Sequence, residues 1–118
     1  MEMEDRKLYL QPKEMVYHTL LDLTELQKGE IAFSDPLYGK LQFRMTMYGF
    51  LWRLRFTVLG MDWNRCAVSM EIAEGAAGDE DAGEEKRRLK DMISREWALL
   101  DSLLLIGTPF EAVCGQER

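Results

Sequence analysis

The amino-acid sequence predicts a two-layer α+β domain in which two helices cover one face of an antiparallel β-sheet. The first observation is that apolar and polar residues alternate with a period of two through most of residues 30–72. This alternation is typical of antiparallel strands with one covered face and one solvated face. The second observation is that residues 13–28 and 84–106 carry apolar side chains at helical spacing. Because the sheet has a single apolar face, both helices are expected to cover it.

The chain opens with a short strand and the first helix. The strand is predicted over Arg6–Leu10, where Leu8 and Leu10 share one face. Pro12 suits the first helical position, because its fixed φ fits and its missing N–H needs no partner there. The helix is expected over residues 13–28, and its inward face is predicted to comprise Val16, Thr19, Leu20, Leu23 and Gln27. Gly29 follows and is expected to end the helix in the left-handed conformation.

Four strands follow the first helix. Their inward residues are predicted to be Ile31 and Phe33, then Leu41, Phe43, Met45 and Met47, then Trp52, Leu54, Phe56 and Val58, and finally Cys66, Val68, Met70 and Ile72. Turns are placed around Leu37, at Tyr48–Gly49 and around Asp62. The resulting pairs are Phe33 with Leu41, Ile31 with Phe43, Leu41 with Phe56, Phe43 with Leu54, Met45 with Trp52, Val58 with Cys66, Phe56 with Val68 and Leu54 with Met70. In all three hairpins inward residues meet inward residues, as a half-buried sheet requires.

The second helix is predicted from about Glu84 to Ile106, and it ends before Gly107 and Pro109. Its apolar stripe is expected to comprise Leu89, Met92, Ile93, Leu100, Leu103 and Leu104. The small and acidic segment 75–83 is predicted to be a solvated loop, and residues 108–118 show no periodicity. We therefore expect one domain over residues 1–106 and a C-terminal tail over residues 107–118.

Composition excludes several classes of function. The chain has 118 residues and a net charge of −6, which argues against general binding of nucleic acid or anionic membranes. One histidine, His18, and two distant cysteines, Cys66 and Cys114, cannot form a usual zinc site, so no metal and no cofactor is expected. The acidic residues after Asp79 fail the spacing of a calcium-binding loop. The sequence shows neither a signal peptide nor a membrane span, so we expect a cytoplasmic protein with reduced thiols.

The order strand, helix, four strands and long C-terminal helix resembles the helix-grip fold of the START-related and polyketide-cyclase-like superfamily (SRPBCC). The resemblance covers roughly residues 6–106 and depends on element order, not on a sequence motif. It implies that the first strand lies beside the fifth, which gives the spatial order 1-5-4-3-2. It also implies that the curved sheet grips the long terminal helix.

Glu96 is the most unusual residue of the second helix, because it projects from the middle of the apolar stripe, between Ile93 and Leu100. A carboxylate facing a core must be paired or protonated. One interpretation is a polar anchor with a raised pKa inside a ligand pocket. The alternative is that the helix overhangs the sheet edge, which would leave Glu96 hydrated or bridged to an arginine.

The outer face of the sheet carries Arg44, Arg53, Arg55 and Arg65. The predicted registers place Arg44 opposite Arg53, and Glu71 on the other side of Arg53. Three interpretations are open: a solvated, salt-bridged face, a surface for an acidic protein partner, or a nucleic-acid surface. Leu51 and Leu59, with Trp63 in the nearby turn, could form a dimerisation patch.

The leading hypothesis is a small, non-enzymatic domain that binds an apolar small molecule or lipid between the sheet and the C-terminal helix. The residues expected to face that space are Leu41, Phe43, Met45, Trp52, Leu54, Phe56, Met70 and Glu96, with Glu96 or Thr19 holding a polar end. The competing hypothesis is a protein-interaction module with a filled core that acts as a homodimer. A hydrolase or cyclase is disfavoured, because the sequence offers Glu96 no acid–base partner.

Overall fold

A computed structural model describes residues 2–74 and 82–107 of the chain. The elements, in chain order, are β1 (Glu2–Tyr9), α1 (Lys13–Leu26), β2 (Glu30–Asp35), β3 (Lys40–Met47), β4 (Phe50–Asp62), β5 (Arg65–Glu74) and α2 (Ala82–Gly107). The predicted solvated segment lies outside the described residues except for its last two positions, which begin α2. The predicted tail beyond Gly107, including Cys114, also lies outside them. Neither helix of the described chain combines the length and apolarity that a membrane span requires.

The five strands form one antiparallel sheet in the order β1-β5-β4-β3-β2, and both helices cover the same face. This confirms the predicted α+β class and the strand order that the resemblance implied. The buried apolar residues form one cluster between the sheet and the helices. We call the sheet face under the helices the covered face, and its opposite the outer face.

The hairpin of β3 and β4 has the predicted register. Met45 pairs with Trp52, and Phe43 pairs with Leu54. The turn residues Tyr48 and Gly49 both have positive φ angles, 56° and 79°, as a tight hairpin turn of type I′ requires. A two-residue turn permits only one register of the two strands, so the position of Tyr48–Gly49 in the sequence is enough to fix the pairing.

The register of β4 and β5 differs from the prediction by two residues. Phe56 pairs with Met70 instead of Val68, and Val58 pairs with Val68 instead of Cys66. The turn lies at Trp63–Asn64, and the register shifts between Gly60 and Asp62. Because the shift is an even number of residues, every inward side chain stays on the covered face.

The edge strand β2 departs further from the prediction. A register shift between Ile31 and Phe33 leaves Ile31 opposite Phe43, as expected, but places Phe33 opposite Gln42 instead of Leu41. Since directly opposed residues share a face, Phe33 belongs to the outer face and is 45% exposed. The extra residue of this β-bulge reverses the alternation that the sequence pattern suggested.

Helix α1 ends in a Schellman motif, but not at the glycine that the sequence suggested. Lys28 takes the left-handed conformation with φ 57°. The Gly29 N–H donates to the Thr24 carbonyl at 2.8 Å, and the Lys28 N–H donates to the Glu25 carbonyl at 3.0 Å. Gly29 serves a different purpose, because a Cβ there would lie 2.8 Å from the Phe43 ring.

Strand β1 is longer than predicted, and the residue near its end that packs into the core is Tyr9, not one of the two leucines. Tyr9 is buried, whereas Leu8 and Leu10 are 54% and 74% exposed. The strand pairs with β5 along its whole length, so that Tyr9 lies opposite Cys66 and Leu8 opposite Ala67.

Candidate binding site between the sheet and the helices

The eight residues predicted to face a ligand come together on the covered face and on α2. Each is at most 3% exposed; they are Leu41, Phe43, Met45, Trp52, Leu54, Phe56, Met70 and Glu96. Cross-strand pairing gathers the seven apolar side chains, as when Phe56 of β4 lies between Leu41 of β3 and Met70 of β5. The rings of Phe43 and Phe56 stack with centroids 6.1 Å apart.

Helix α2 forms the roof over these residues. Its buried apolar side chains are Leu89, Met92, Ile93, Trp97, Leu100 and Leu104. The Trp97 ring meets the Phe56 ring edge-on, with centroids 6.5 Å apart. Trp97 is not among the residues predicted for the apolar stripe, although its spacing of four from Ile93 and three from Leu100 is that of one helix face.

Glu96 lies where α2 meets the end of α1, and its side chain is fully buried. One carboxylate oxygen, Oε1, accepts a hydrogen bond from Gln27 Nε2 at 2.7 Å. The other, Oε2, accepts one from Arg95 Nη1 at 2.8 Å, and Arg95 also donates to Gln27 Oε1. Arg95 is 31% exposed, so this triad reaches from the core to the surface. Glu96 is therefore bridged to an arginine, and its side chain is not exposed to solvent.

Burial raises the pKa of Glu96 above its usual range, while the Gln27 hydrogen bond and the Arg95 charge act in the opposite direction. A carboxyl group of this kind has two chemical uses. It can hold the polar end of a molecule by hydrogen bonding, or it can deliver a proton. Thr19 is committed elsewhere, because its hydroxyl donates to the Met15 carbonyl at 2.8 Å.

A second polar cluster ties β1 to α2 on the other side of the roof. The Tyr9 hydroxyl donates to Asp101 Oδ1 at 2.7 Å, and Lys7 forms an ion pair with the same carboxylate. The Trp97 Nε1–H donates to Asp5 Oδ2 at 2.8 Å. Burial and the neighbouring carboxylate raise the pKa of Tyr9. The sequence pattern does not indicate this cluster, because its members are about 90 residues apart in the chain.

The cysteine and the histidine occupy ordinary places in the fold. Cys66 is fully buried, and burial raises the pKa of its thiol to about 11. This favours the neutral thiol. His18 lies on the exposed side of α1. Among the described residues, no group of three or more metal-ligating side chains comes together.

The outer face carries the four arginines that the sequence places there. Arg44 lies opposite Arg53, as predicted. The predicted position of Glu71 opposite Arg53 is wrong, because the shifted register of β4 and β5 places Glu71 opposite Arg55. These two form an ion pair at 3.2 Å. Arg65 instead pairs with Asp62 at 2.7 Å within the β4–β5 turn.

No protein-family model and no curated protein matches the chain. Solved structures do share its fold. The di-domain aromatase/cyclase BexL, from the BE-7585A biosynthetic pathway, superposes with a TM-score of 0.69 at 15% identity. This match covers 92% of the chain but only 48% of BexL, so the chain spans about half the length of that protein. Ara h 8.0201 gives a TM-score of 0.67 at 10% identity, covering 91% of the chain and 97% of Ara h 8.0201.

A START superfamily protein from Mycobacterium smegmatis gives a TM-score of 0.53 at 10% identity, covering 84% of the chain and 92% of that protein. The chain therefore has the helix-grip fold of the START-related superfamily, as its element order suggested. The expectation of a non-enzymatic domain is wrong, because the same fold serves in an aromatase/cyclase.

Proposed function

We propose that the chain binds an apolar small molecule or lipid between the covered face of its sheet and α2. The observation that carries the proposal is that seven apolar side chains of the covered face and the carboxyl group of Glu96 on α2 are all buried. A ligand pocket has this character, with mostly apolar walls and few polar groups to fix orientation. The fold shared with START superfamily proteins and with an aromatase/cyclase supports the same conclusion.

Binding requires the buried residues to make room for a ligand. Met45, Met70 and Met92 lie in the buried cluster between the sheet and the helices. Their flexible thioether side chains can change rotamer at little cost in free energy. Beside Glu96, hydrogen bonds from Gln27 to Glu96 and from Arg95 to Gln27 join the end of α1 to α2. Water can replace hydrogen bonds when a joint opens, so this side is the expected route for the ligand. Burying apolar ligand surface then contributes roughly 25 cal/mol per Å².

Glu96 is the proposed anchor for the polar end of the ligand. Both of its oxygens have partners, so a ligand hydroxyl or amine takes the place of Gln27 at Oε1. This exchange leaves the ion pair with Arg95 intact. Thr19 is the less suitable anchor, because its only hydroxyl proton is used within α1.

The test begins with native mass spectrometry of protein purified from cells, where we expect a retained small molecule. The affinity of the protein for this retained molecule is then compared with its affinity for a neutral apolar dye, N-phenyl-1-naphthylamine. Both are measured with the Trp63→Phe variant. Trp63 is 84% exposed, so its removal leaves the fluorescence of the buried Trp52 and Trp97. Binding at the proposed site is expected to quench both. Mass spectra of the retained molecule before and after incubation also reveal any chemical conversion.

Leu54 and Leu51 provide matched variants, because they lie on one strand but on opposite faces. Leu54→Phe fills the proposed site and is expected to weaken dye binding about tenfold, whereas Leu51→Phe adds the same ring at a 42% exposed position and leaves it unchanged. Glu96→Leu tests the anchor. Equal dye binding by both phenylalanine variants, or protein that retains nothing and leaves the buried tryptophans unquenched, would contradict the proposal.

The outer face supports a second candidate function, which is self-association. Leu8, Ala67 and Leu59 lie in one row across three strands, and Met61 and Trp63 follow towards the turn. The large apolar members of this patch are all more than half exposed, and contiguous apolar patches commonly mark interaction surfaces. A doubled mass in the same native spectra, reduced to the single mass by Leu59→Lys, is the result expected of a homodimer. A single mass at all protein concentrations contradicts it.

A further inference from the structure

A groove of about 180 Å³ lies on the outer face of the sheet, across the central strands and away from the covered face. Two cross-strand rows run through it. In one row Arg53 lies between Arg44 and Ala73, and in the other Arg55 lies between Gln42 and Glu71. Ala73 and the bulged β2 residue Ala32 also line the groove. Their short side chains leave a depression between the longer arginine side chains.

The charges in this groove are unbalanced. Three guanidinium groups and one carboxylate line it, which leaves two positive charges. Arg44 and Arg53 are directly opposed, an arrangement that is unfavourable for like charges. Arg44 pairs with Glu30 at the sheet edge at 2.7 Å, and Arg55 pairs with Glu71 at 3.2 Å. Within the part of the chain that the structure describes, the Arg53 side chain has no hydrogen-bond or ion-pair partner.

The existing ion pairs are easily exchanged. The side chains of Arg44 and Arg55 are 48% and 52% exposed, and their carboxylate partners are also open to solvent. Exposed pairs of this kind contribute little free energy, about 1 kcal/mol or less. A ligand with a higher charge density than a carboxylate can therefore recruit both arginines around the unpaired Arg53.

We propose that this groove binds the phosphate group of a small phosphorylated molecule. Guanidinium groups match the oxygen geometry of phosphate and donate paired, charge-assisted hydrogen bonds to it. A phosphate monoester carries close to two negative charges at neutral pH, so it can pair with Arg53 and with a guanidinium group released from its carboxylate partner. A groove of about 180 Å³ has room for the phosphate group and for part of the organic group as well.

The charge of the whole chain favours a small ligand over nucleic acid. The net charge of −6 opposes the approach of a long polyanion, whereas a single phosphate group interacts mainly with the groove. Phe43, Leu54 and Ile72 also border the groove, but their side chains are buried on the covered face, so the groove and the site proposed there lie on opposite faces of the sheet. The two sites can therefore be occupied, and tested, independently.

The test is an NMR titration of the ¹⁵N-labelled protein, which follows the backbone amides and the arginine Nε–H groups. Inorganic phosphate and phenyl phosphate are titrated separately at low ionic strength. We expect both to shift the Nε–H signals of Arg44, Arg53 and Arg55. Tighter binding of phenyl phosphate indicates a phosphorylated organic molecule as the ligand. Equal binding overturns the organic part of the proposal and leaves a site for free phosphate.

Paired variants make the test specific to the groove. Arg53→Gln is expected to weaken binding about tenfold, because it removes the guanidinium group of the groove that has no partner among the described residues. Arg6→Gln removes the same charge from β1, outside the groove, and leaves the affinity unchanged within about twofold. Glu71→Gln frees Arg55 and is expected to tighten binding. Glu4→Gln is its control, because Glu4 lies in the same cross-strand row but outside the groove.

The proposal fails if neither phosphate compound shifts the arginine signals at millimolar concentration. It also fails if Arg53→Gln and Arg6→Gln weaken binding equally, since that result indicates only a general effect of net charge. Preserved dispersion of the amide spectrum shows that each variant is folded. Because Glu4, Arg6 and Arg53 are exposed and Glu71 is half-buried, loss of folding is not the expected cause of any change.

Discussion

The covered face and the outer face of the sheet come from alternate residues of the same strands, yet they differ in how their polar groups are satisfied. On the covered side, no buried side-chain nitrogen or oxygen of the described residues lacks a hydrogen-bond partner. On the outer face Arg53 has no ion-pair partner among the described residues, and it lies opposite a like charge. Water stabilises an exposed charge but cannot reach a buried one. Unsatisfied binding capacity can therefore persist only on the outer face, whereas the covered face must exchange an existing partner to bind a ligand.

The largest expected effect is on the free energy of unfolding when a side chain is removed from the covered face. Phe56 is fully buried and contacts the rings of Phe43 and Trp97. Phe56→Ala is expected to destabilise the protein by about 3–5 kcal/mol, because it removes transfer free energy and leaves a cavity. The neighbouring variant Thr57→Val changes the outer face and is expected to stay within about 0.5 kcal/mol. Urea denaturation measures both. Similar losses for the two variants would mean that the faces differ less than their burial indicates.

The sequence largely predicted which residues belong to each face, because this depends on the alternation of apolar and polar residues along each strand. A register shift of two residues does not change the face on which a side chain lies. The turn at Tyr48–Gly49 fixed one hairpin fully. The sequence could not show the bulge in β2, which carries Phe33 to the outer face, because β2 has only one neighbour and little burial to enforce its register.

The polar contacts of the candidate site were less accessible to sequence reasoning. The unusual position of Glu96 was evident from helical spacing alone. Its partner Gln27 lies 69 residues away, and only the packing of α1 on α2 brings the two together. The same holds for Tyr9 and Asp101. The arginine groove depends on the exact pairing of β4 with β5, where a shift of two residues moved Glu71 from Arg53 to Arg55.

A smaller effect, which depends on pH, is expected from Glu96. Burial raises its folded-state pKa above the unfolded value near 4.5. The folded state therefore binds a proton more readily, and this contribution to stability is complete below pH 4.5 and lost as the pH rises through the folded pKa. The stability of the wild-type protein relative to Glu96→Gln is thus expected to fall with rising pH. Denaturation at a series of pH values measures the difference.

The control for that series is Glu25→Gln, which removes an exposed carboxyl group from α1 and accounts for the loss of one negative charge. A stability difference between wild type and Glu96→Gln that rises with pH would show that Arg95 and Gln27 outweigh burial. In that case the partners of Glu96 would stabilise its charged form, as the ion-pair partners on the outer face do for their arginines.

The smallest effect is expected for the Arg55–Glu71 pair on the outer face. Its side chains are 52% and 40% exposed, so water screens their attraction in both the paired and the separated state. A double-mutant cycle with Arg55→Gln and Glu71→Gln is expected to give a coupling free energy below about 1 kcal/mol, which decreases further in high salt. A larger, salt-resistant coupling would mean that Glu71 already holds Arg55 firmly. It would then leave Arg53 to bind an anion with little help from its neighbour, and the phosphate affinity gained in Glu71→Gln would be correspondingly greater.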